Sequence, residues 1–251
     1  MNKMNVLILG HTGMLGHMVL KYLKYKGVNV DTTNLRWPSE EFKNHIKHYN
    51  GDYIINCIGA IPQRTNVFDI NWELPIFLDF YSSCKIIHPG TDGDNDKNPY
   101  GFSKKIARDF VLNTSEKTKS IKTCIIGPEL KTKASLMEWF FSNQDNQSVF
   151  GYTEHFWNGA TTLTWSEYAY NLIIEWEKYN KEIILHSKCI SKKELLETLN
   201  SVFSRKIIIE PKSESKCDRC LSGDIEIPNL ETQLNTLKSF YYDVDINEKF
   251  K

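Results

Sequence analysis

The chain carries no net charge, since 31 basic side chains balance 31 acidic ones over 251 residues. That balance excludes nucleic acid as a main partner, because such binding needs a concentrated positive field. Long apolar runs are absent too. No stretch approaches the roughly 18 apolar residues of a membrane span, and the run at 6–9 is too short for a signal-peptide core. Repeats and low-complexity linkers are also missing. The six cysteines, at 57, 84, 124, 189, 217 and 220, are scattered, three of them in or beside runs that read as buried strand or helix. They read as reduced thiols of a cytoplasmic protein. Cys217 and Cys220 form a CxxC with no second ligand pair nearby, so no metal site is expected.

What is present is alternation. Apolar strand-like runs near 4–9, 28–33, 53–56, 85–90 and 121–126 alternate with segments of helical period near 14–26, 39–48, 68–83 and 100–113. Gly, Pro, Asn or Ser bounds each helix. The pattern predicts an α/β fold, a Rossmann-type doubly wound parallel sheet with a small C-terminal annex. Residues 1–130 form the expected dinucleotide-binding domain, with 163–186 returning to it, while 131–162 and 187–251 form a substrate lobe. Within the second half we expect helices over 136–141, 166–179 and 192–203, a polar loop at 143–148, and strands at 183–185 and 207–209.

The most informative stretch follows the first strand directly and opens the first helix. It reads Gly10-His11-Thr12-Gly13-Met14-Leu15-Gly16, a GxxGxxG spacing. The first glycine allows the tight turn, the second lets backbone approach a diphosphate, and the third lets helix and strand pack. Phosphates then sit on free N–H groups at the positive helix end. A nicotinamide dinucleotide is therefore expected on Gly10, Thr12, Gly13, Met14, Leu15 and Gly16. About 20 residues beyond the turn an acidic residue favours NAD(H) and a cation favours NADP(H). Arg36 stands there, and Asp31 falls inside the second strand. NADP(H) is favoured over NAD(H).

Three Tyr-x-x-x-Lys pairs occur, Tyr22/Lys26, Tyr81/Lys85 and Tyr100/Lys104, as chance allows among 12 tyrosines. Position discriminates between them. Only Tyr100 and Lys104 follow a strand at the start of a helix, where ligands meet the carboxyl edge of such sheets. Positions i and i+4 share a helix face. An ammonium about 4 Å from a phenol, at an effective dielectric of about 20, is worth about 4 kcal/mol, or roughly three pKa units. Tyr100 would thereby become a proton donor near neutrality.

These features resemble the extended short-chain dehydrogenase/reductases, and within them the dTDP-4-dehydrorhamnose reductases. His88-Pro89-Gly90-Thr91-Asp92 is similar to the family's Ser-Thr-Asp stretch, 51–60 to its fourth-strand segment, and Asp69-Ile70-Asn71 to its helix asparagine. The resemblance continues through 125–127, 136–140, 151–153, 157–163 and 217–221, and implies reduction of a nucleotide-linked 4-keto-6-deoxysugar. It implies cofactor contacts from Cys57, Ile58, Gly59, Tyr100 and Lys104, catalytic roles for Thr91, Tyr100 and Lys104, and substrate contacts from Thr91, Asp92, Trp157, Asn158, Thr161 and Arg219. Homodimers through the helices at 68–83 and 100–113 are usual in that family. Two departures stand out. Only eight residues separate Thr91 from Tyr100, where these reductases carry a longer loop, and Lys122 stands where arginine is usual. Two other readings remain: a non-catalytic NADP-binding regulatory subunit or sensor, and a nucleotide-sugar epimerase or dehydratase. A dehydratase usually needs an acid/base carboxylate pair beside the threonine, and no glutamate follows Asp92.

Overall fold

A computed structural model describes residues 4–131 and 134–243. The first half lays down strands β1 (Asn5–Leu9), β2 (Asn29–Thr32), β3 (Tyr53–Asn56), β4 (Lys85–Pro89) and β5 (Thr118–Lys122). Helices α1 (Met14–Tyr25), α2 (Glu40–His48), α3 (Ile70–Tyr81) and α4 (Pro99–Asn113) connect them in turn. The chain then leaves the sheet through β6 (Ile125–Ile126), α5 (Leu136–Phe141), β7 (Ser148–Tyr152), β8 (His155–Trp157) and β9 (Ala160–Thr161). It comes back with α6 (Thr162–Ile174) and β10 (Glu182–His186). The remainder is β11 (Ile190–Ser191), α7 (Lys192–Val202), β12 (Ile208–Lys212), β13 (Cys217–Asp218), β14 (Ile225–Glu226) and α8 (Leu230–Lys238).

Seven strands, all parallel, form the main sheet in the order β14-β10-β5-β4-β3-β1-β2. Winding reverses between β1 and β3, and ligands of open α/β sheets bind at such a reversal. This is the doubly wound fold that the alternation predicts. Successive strand residues serve opposite faces. Val6, Ile8, Ile55, Ile87 and Ile121 pack with Leu15, Val19, Trp165 and Leu172 of α1 and α6. Leu7, Leu9, Ile54 and Ile86 pack with Phe42, Ile46, Leu74 and Leu78 of α2 and α3. A separate core, including Met137, Phe140, Trp157, Leu195 and Leu234, fills the second lobe.

Three local expectations need correction. The fifth strand is Thr118–Lys122, not 121–126. Its buried positions include Thr118 and Ser120, polar groups that a hydrophobic pattern does not reveal, and Thr118 satisfies its hydroxyl on Asp79 at 2.5 Å. Helix α6 starts at Thr162, not Ser166, because Thr161 caps it, its hydroxyl accepting the Thr164 N–H at 3.2 Å. The helix ends at Ile174, and a 3₁₀ turn, Trp176–Lys178, follows. The cysteines are not all reduced, since Cys189 and Cys220 form a disulfide and the other four are free. Strand β8 lies between β11 and β13, which brings Cys189, just before β11, beside Cys220, just after β13. The CxxC sulfur of Cys220 is therefore engaged with Cys189, 31 residues away, and not with Cys217.

Candidate active site

At the end of β1 the backbone turns at Gly10 with φ of +75°, a conformation favouring glycine. A Cβ on Gly16 would lie 2.2 Å from the Gly10 carbonyl oxygen, so helix and turn approach as closely as the spacing predicts. Helix α1 starts behind Gly13 with no side-chain cap, leaving first-turn N–H groups for a ligand. In the same turn the buried Nδ1 of His11 has no hydrogen-bond partner. This glycine-lined cradle, open N–H groups included, fits the diphosphate of a dinucleotide. Thr12 is exposed, Met14 is half-buried, and the side chain of Leu15 enters the core. After β3, the Cys57 N–H donates to the Leu9 carbonyl at 3.0 Å and the Ile58 N–H to Asn56 Oδ1 at 3.1 Å, fixing the second wall of the cradle. Arg36 is exposed just beyond β2, whereas the Asp31 carboxylate accepts the Tyr49 hydroxyl at 3.0 Å.

Two strands along, β4 delivers Thr91 and α4 delivers Tyr100 and Lys104. Asn98 caps α4, accepting the Gly101 N–H at 2.8 Å, and Pro99 opens its first turn, so Tyr100 stands at the helix start. Its hydroxyl donates to Thr91 Oγ1 at 3.4 Å, while Thr91 donates to Asp92 Oδ1 and accepts the Gly93 N–H, both at 3.2 Å. The Phe68 ring meets Tyr100 edge-on at 5.7 Å. Asn71 accepts the Ala60 N–H at 2.7 Å and donates to the Ala60 carbonyl and Ser103 Oγ, tying the cradle's second wall to the Tyr100 helix. A Cβ on Gly59 would lie 3.7 Å from Lys104 Nζ, which puts the ammonium beside that wall.

The site's electrostatics differ from the simple pairwise expectation. Burial pushes the Tyr100 phenol above its usual value; the Thr91 hydrogen bond pulls the other way and Asp92 adds to the rise. Burial also brings Lys104 down to about 8. Desolvation thus dominates both groups, and Tyr100 moves away from neutrality rather than toward it. Beneath them His88, buried on β4 against Asn56, is brought down to about 3 by burial and then by Lys104, and is neutral at physiological pH.

The expected substrate contacts divide. Asp92 and Arg219 lie beside Tyr100: Arg219 holds Asp96, and a Cβ on Gly93 would be 3.3 Å from the Tyr100 ring and 3.6 Å from Arg219 Nη1. Trp157, Asn158 and Thr161 do not present surface to this groove. Trp157 and Thr161 are fully buried, Thr161 as the α6 cap, and Asn158 is spent on both backbone groups of Leu221, at 2.6 and 2.8 Å. They shape the lobe from behind. Sequence reasoning missed His88, Asp94 and Asp96. The two loop aspartates read as solvated charge, and the signal that recovers them is the presence of distant cations, Lys122 and Arg219, with which they pair.

The fold is of the Rossmann type, and the glycine cradle, Thr91, Tyr100 and Lys104 lie at the carboxyl edge of its sheet. No family model and no curated protein matches the chain. Solved structures do. A dTDP-4-dehydrorhamnose reductase from Clostridium acetobutylicum superposes with a TM-score of 0.73 at 18% identity, over 94% of this chain and 100% of that one. The enzyme of the same name from Bacillus anthracis, in complex with NADP, gives 0.73 at 14% identity over 96% and 100%. A UDP-glucose 4-epimerase from Thermotoga maritima, with UDP-glucose, gives 0.72 at 16% identity over 96% and 99%. The resemblance read from the motifs is therefore met at the level of the whole fold. No helix among the described residues is long and apolar enough to cross a membrane.

Proposed function

We propose that the chain is an NADPH-dependent reductase of the C4 ketone of a nucleotide-linked 4-keto-6-deoxyhexose, dTDP- or UDP-linked. The observation that carries this reading is the 3.4 Å contact between the Tyr100 and Thr91 hydroxyls, one helical turn from Lys104 and one strand from the glycine cradle. When bound, the nicotinamide supplies a hydride to C4. Tyr100 donates its phenolic proton to the ketone oxygen, giving the alcohol, and Thr91 holds that oxygen beside it. Lys104 keeps a positive charge near the phenolate that results. General acids of this kind contribute about 10²- to 10⁴-fold. Arg36, exposed beyond β2, would hold the 2′-phosphate that distinguishes NADPH, and Asp31 is engaged by Tyr49 rather than offered to a ribose. Asp92 and Arg219 take the sugar nucleotide, its anionic diphosphate favouring the guanidinium.

The reading includes a homodimer through α3 and α4, whose outer faces expose Phe80, Phe102 and Ile106, the last two lining a cavity of about 330 Å³. It also includes cytoplasmic work, where NADPH is supplied. The test is NADPH oxidation with UDP- and dTDP-linked 4-keto-6-deoxysugars, with and without a 2-acetamido group. Turnover of one of them is expected. Dinucleotide binding without turnover across the panel would make the chain a regulatory subunit or sensor, and NAD retained through purification would make it an epimerase or dehydratase.

A further inference from the structure

The two departures from the resembling reductases, the eight-residue connection from Thr91 to Tyr100 and the lysine at 122, are joined in space. Lys122, at the end of β5, donates to both carboxylate oxygens of Asp94 in that connection, at 2.9 and 2.7 Å. Both residues are buried, at 4% and 3% exposure, so the pair lies beneath the site. Arg108 of α4 reaches the same Asp94 carboxylate at 3.4 Å while forking Glu182 of β10 at 2.7 Å on each prong. Two cations and two carboxylates thus tie together β5, β10, the helix that carries Tyr100 and the connection that begins at Thr91.

Lys122 also touches the residue on the other side of Thr91. A Cβ on Gly90 would lie 2.9 Å from Lys122 Cβ and 3.0 Å from its Cα, so strand and backbone are in close contact there. The Gly90 N–H donates to the Ile121 carbonyl at 2.9 Å. Thr91 is therefore bracketed: its predecessor rests on the Lys122 backbone, and Asp94, three residues later, is gripped by the Lys122 ammonium.

We propose that Lys122 and Asp94 are positioning residues that hold the Thr91 hydroxyl at its distance from the Tyr100 hydroxyl. The proposal rests on the reductase reading for its catalytic consequence, not for its structural one. A buried ion pair is seldom worth more than a well-packed apolar pair of the same volume, and what it adds is direction. Here the direction is specific, because one ammonium faces two oxygens of one carboxylate between the strand and the helix that supply the reacting groups. A displacement of about 1 Å at a reacting group costs on the order of 10²-fold in rate.

The experiment compares Lys122→Met, Asp94→Asn, Lys122→Arg and the double apolar variant Lys122→Met/Asp94→Leu with the wild type. Turnover, NADPH affinity, thermal midpoint and backbone hydrogen exchange are each measured. Lys122→Met and Asp94→Asn should lower kcat about 100-fold, with NADPH Kd within about twofold of wild type. Exchange should accelerate over 90–101 but not over 10–16. Lys122→Arg should recover most of the loss. The double variant decides between positioning and mere stability: its midpoint should return while kcat and the protection of 90–101 remain low. Recovery of all three, or single variants that leave kcat and exchange unchanged, would overturn the proposal. A wild type that turns over no keto sugar would defeat the reductase reading alone, because the exchange comparison still reads the bracket.

Discussion

Arg219 clasps Asp96 with two parallel hydrogen bonds, Nη1 to Oδ1 at 2.7 Å and Nη2 to Oδ2 at 2.8 Å, joining the C-terminal lobe to the connection between Thr91 and Tyr100. The two residues are 123 positions apart in the chain. Arg219 remains about one-third exposed, so a substrate anion can compete with Asp96 for the same fork. A pair that solvent reaches contributes little to stability, in the range of about 0.2–1 kcal/mol. Arg219→Ala should therefore leave the thermal midpoint nearly unchanged and raise KM for the sugar nucleotide about tenfold, the equivalent of about 1.4 kcal/mol. Arg219→Lys should recover little, because an ammonium cannot reproduce the planar fork. Steady-state kinetics with the sugar nucleotide varied checks both.

The pH dependence follows from Lys104. Its folded-state value of about 8 is depressed by burial below that of an exposed lysine, while Tyr100 is raised. As pH rises through about 8, Lys104 loses its charge while Tyr100 keeps its proton. kcat/KM for reduction should then fall above about pH 8, approaching tenfold per pH unit. Stability runs the opposite way. The unfolded lysine holds its proton up to about 10.4, so the unfolded state binds more protons between about 8 and that value. Folding is therefore favoured as pH rises through the window. Lys104→Met should be more stable than wild type at pH 7, by on the order of 1 kcal/mol, and the difference should vanish above about pH 10.4. Denaturant melts at pH 7 and pH 10 measure it.

In the proposed reading Arg36 sets the preference for NADPH over NADH. Arg36→Ala should weaken NADPH binding about tenfold or more, the scale of one charge-assisted contact, and leave NADH binding within about twofold. Equal losses for both dinucleotides would place the arginine away from the 2′-phosphate. Fluorescence titration of the reduced cofactors separates the outcomes.

The dimer proposed on α3 and α4 depends on side chains already facing solvent. Phe80→Glu and Ile106→Glu should each weaken self-association by about 30-fold or more, the scale of an interface hot spot. Neither should disturb the fold, since both positions are exposed. Sedimentation equilibrium on wild type and variants reads the association directly.

The sheet and the cradle were legible in the sequence because each rests on local pattern: a continuous apolar run from Val6 to Leu9, then glycines at three fixed offsets. Gly16 could be assigned because only a missing side chain lets α1 approach Gly10 as it does. Tyr100 stood out from Tyr22 and Tyr81 by its place after a strand. Asp94 gave no such sign: an aspartate among Asp92, Asp96 and Asn95 reads as a solvated loop, and its partner Lys122 is 28 residues away. The Cys189–Cys220 bond was hidden for a related reason, since it depends on two short strands flanking β8. The same limit applies to pKa values. A helix spacing of four reports that Lys104 and Tyr100 share a face, but not that burial dominates both of them.

In the proposed reaction Tyr100 gives the proton while the rest of the chain binds and orients. Its most direct measurement is Tyr100→Phe, assayed for NADPH oxidation with the 4-keto-6-deoxysugar nucleotide that the wild type turns over. The variant should lose about 10²- to 10⁴-fold in kcat, with NADPH affinity and thermal midpoint unchanged, because only the hydroxyl facing Thr91 is removed. A Tyr100→Phe protein that reduces the keto sugar at the wild-type rate would contradict it.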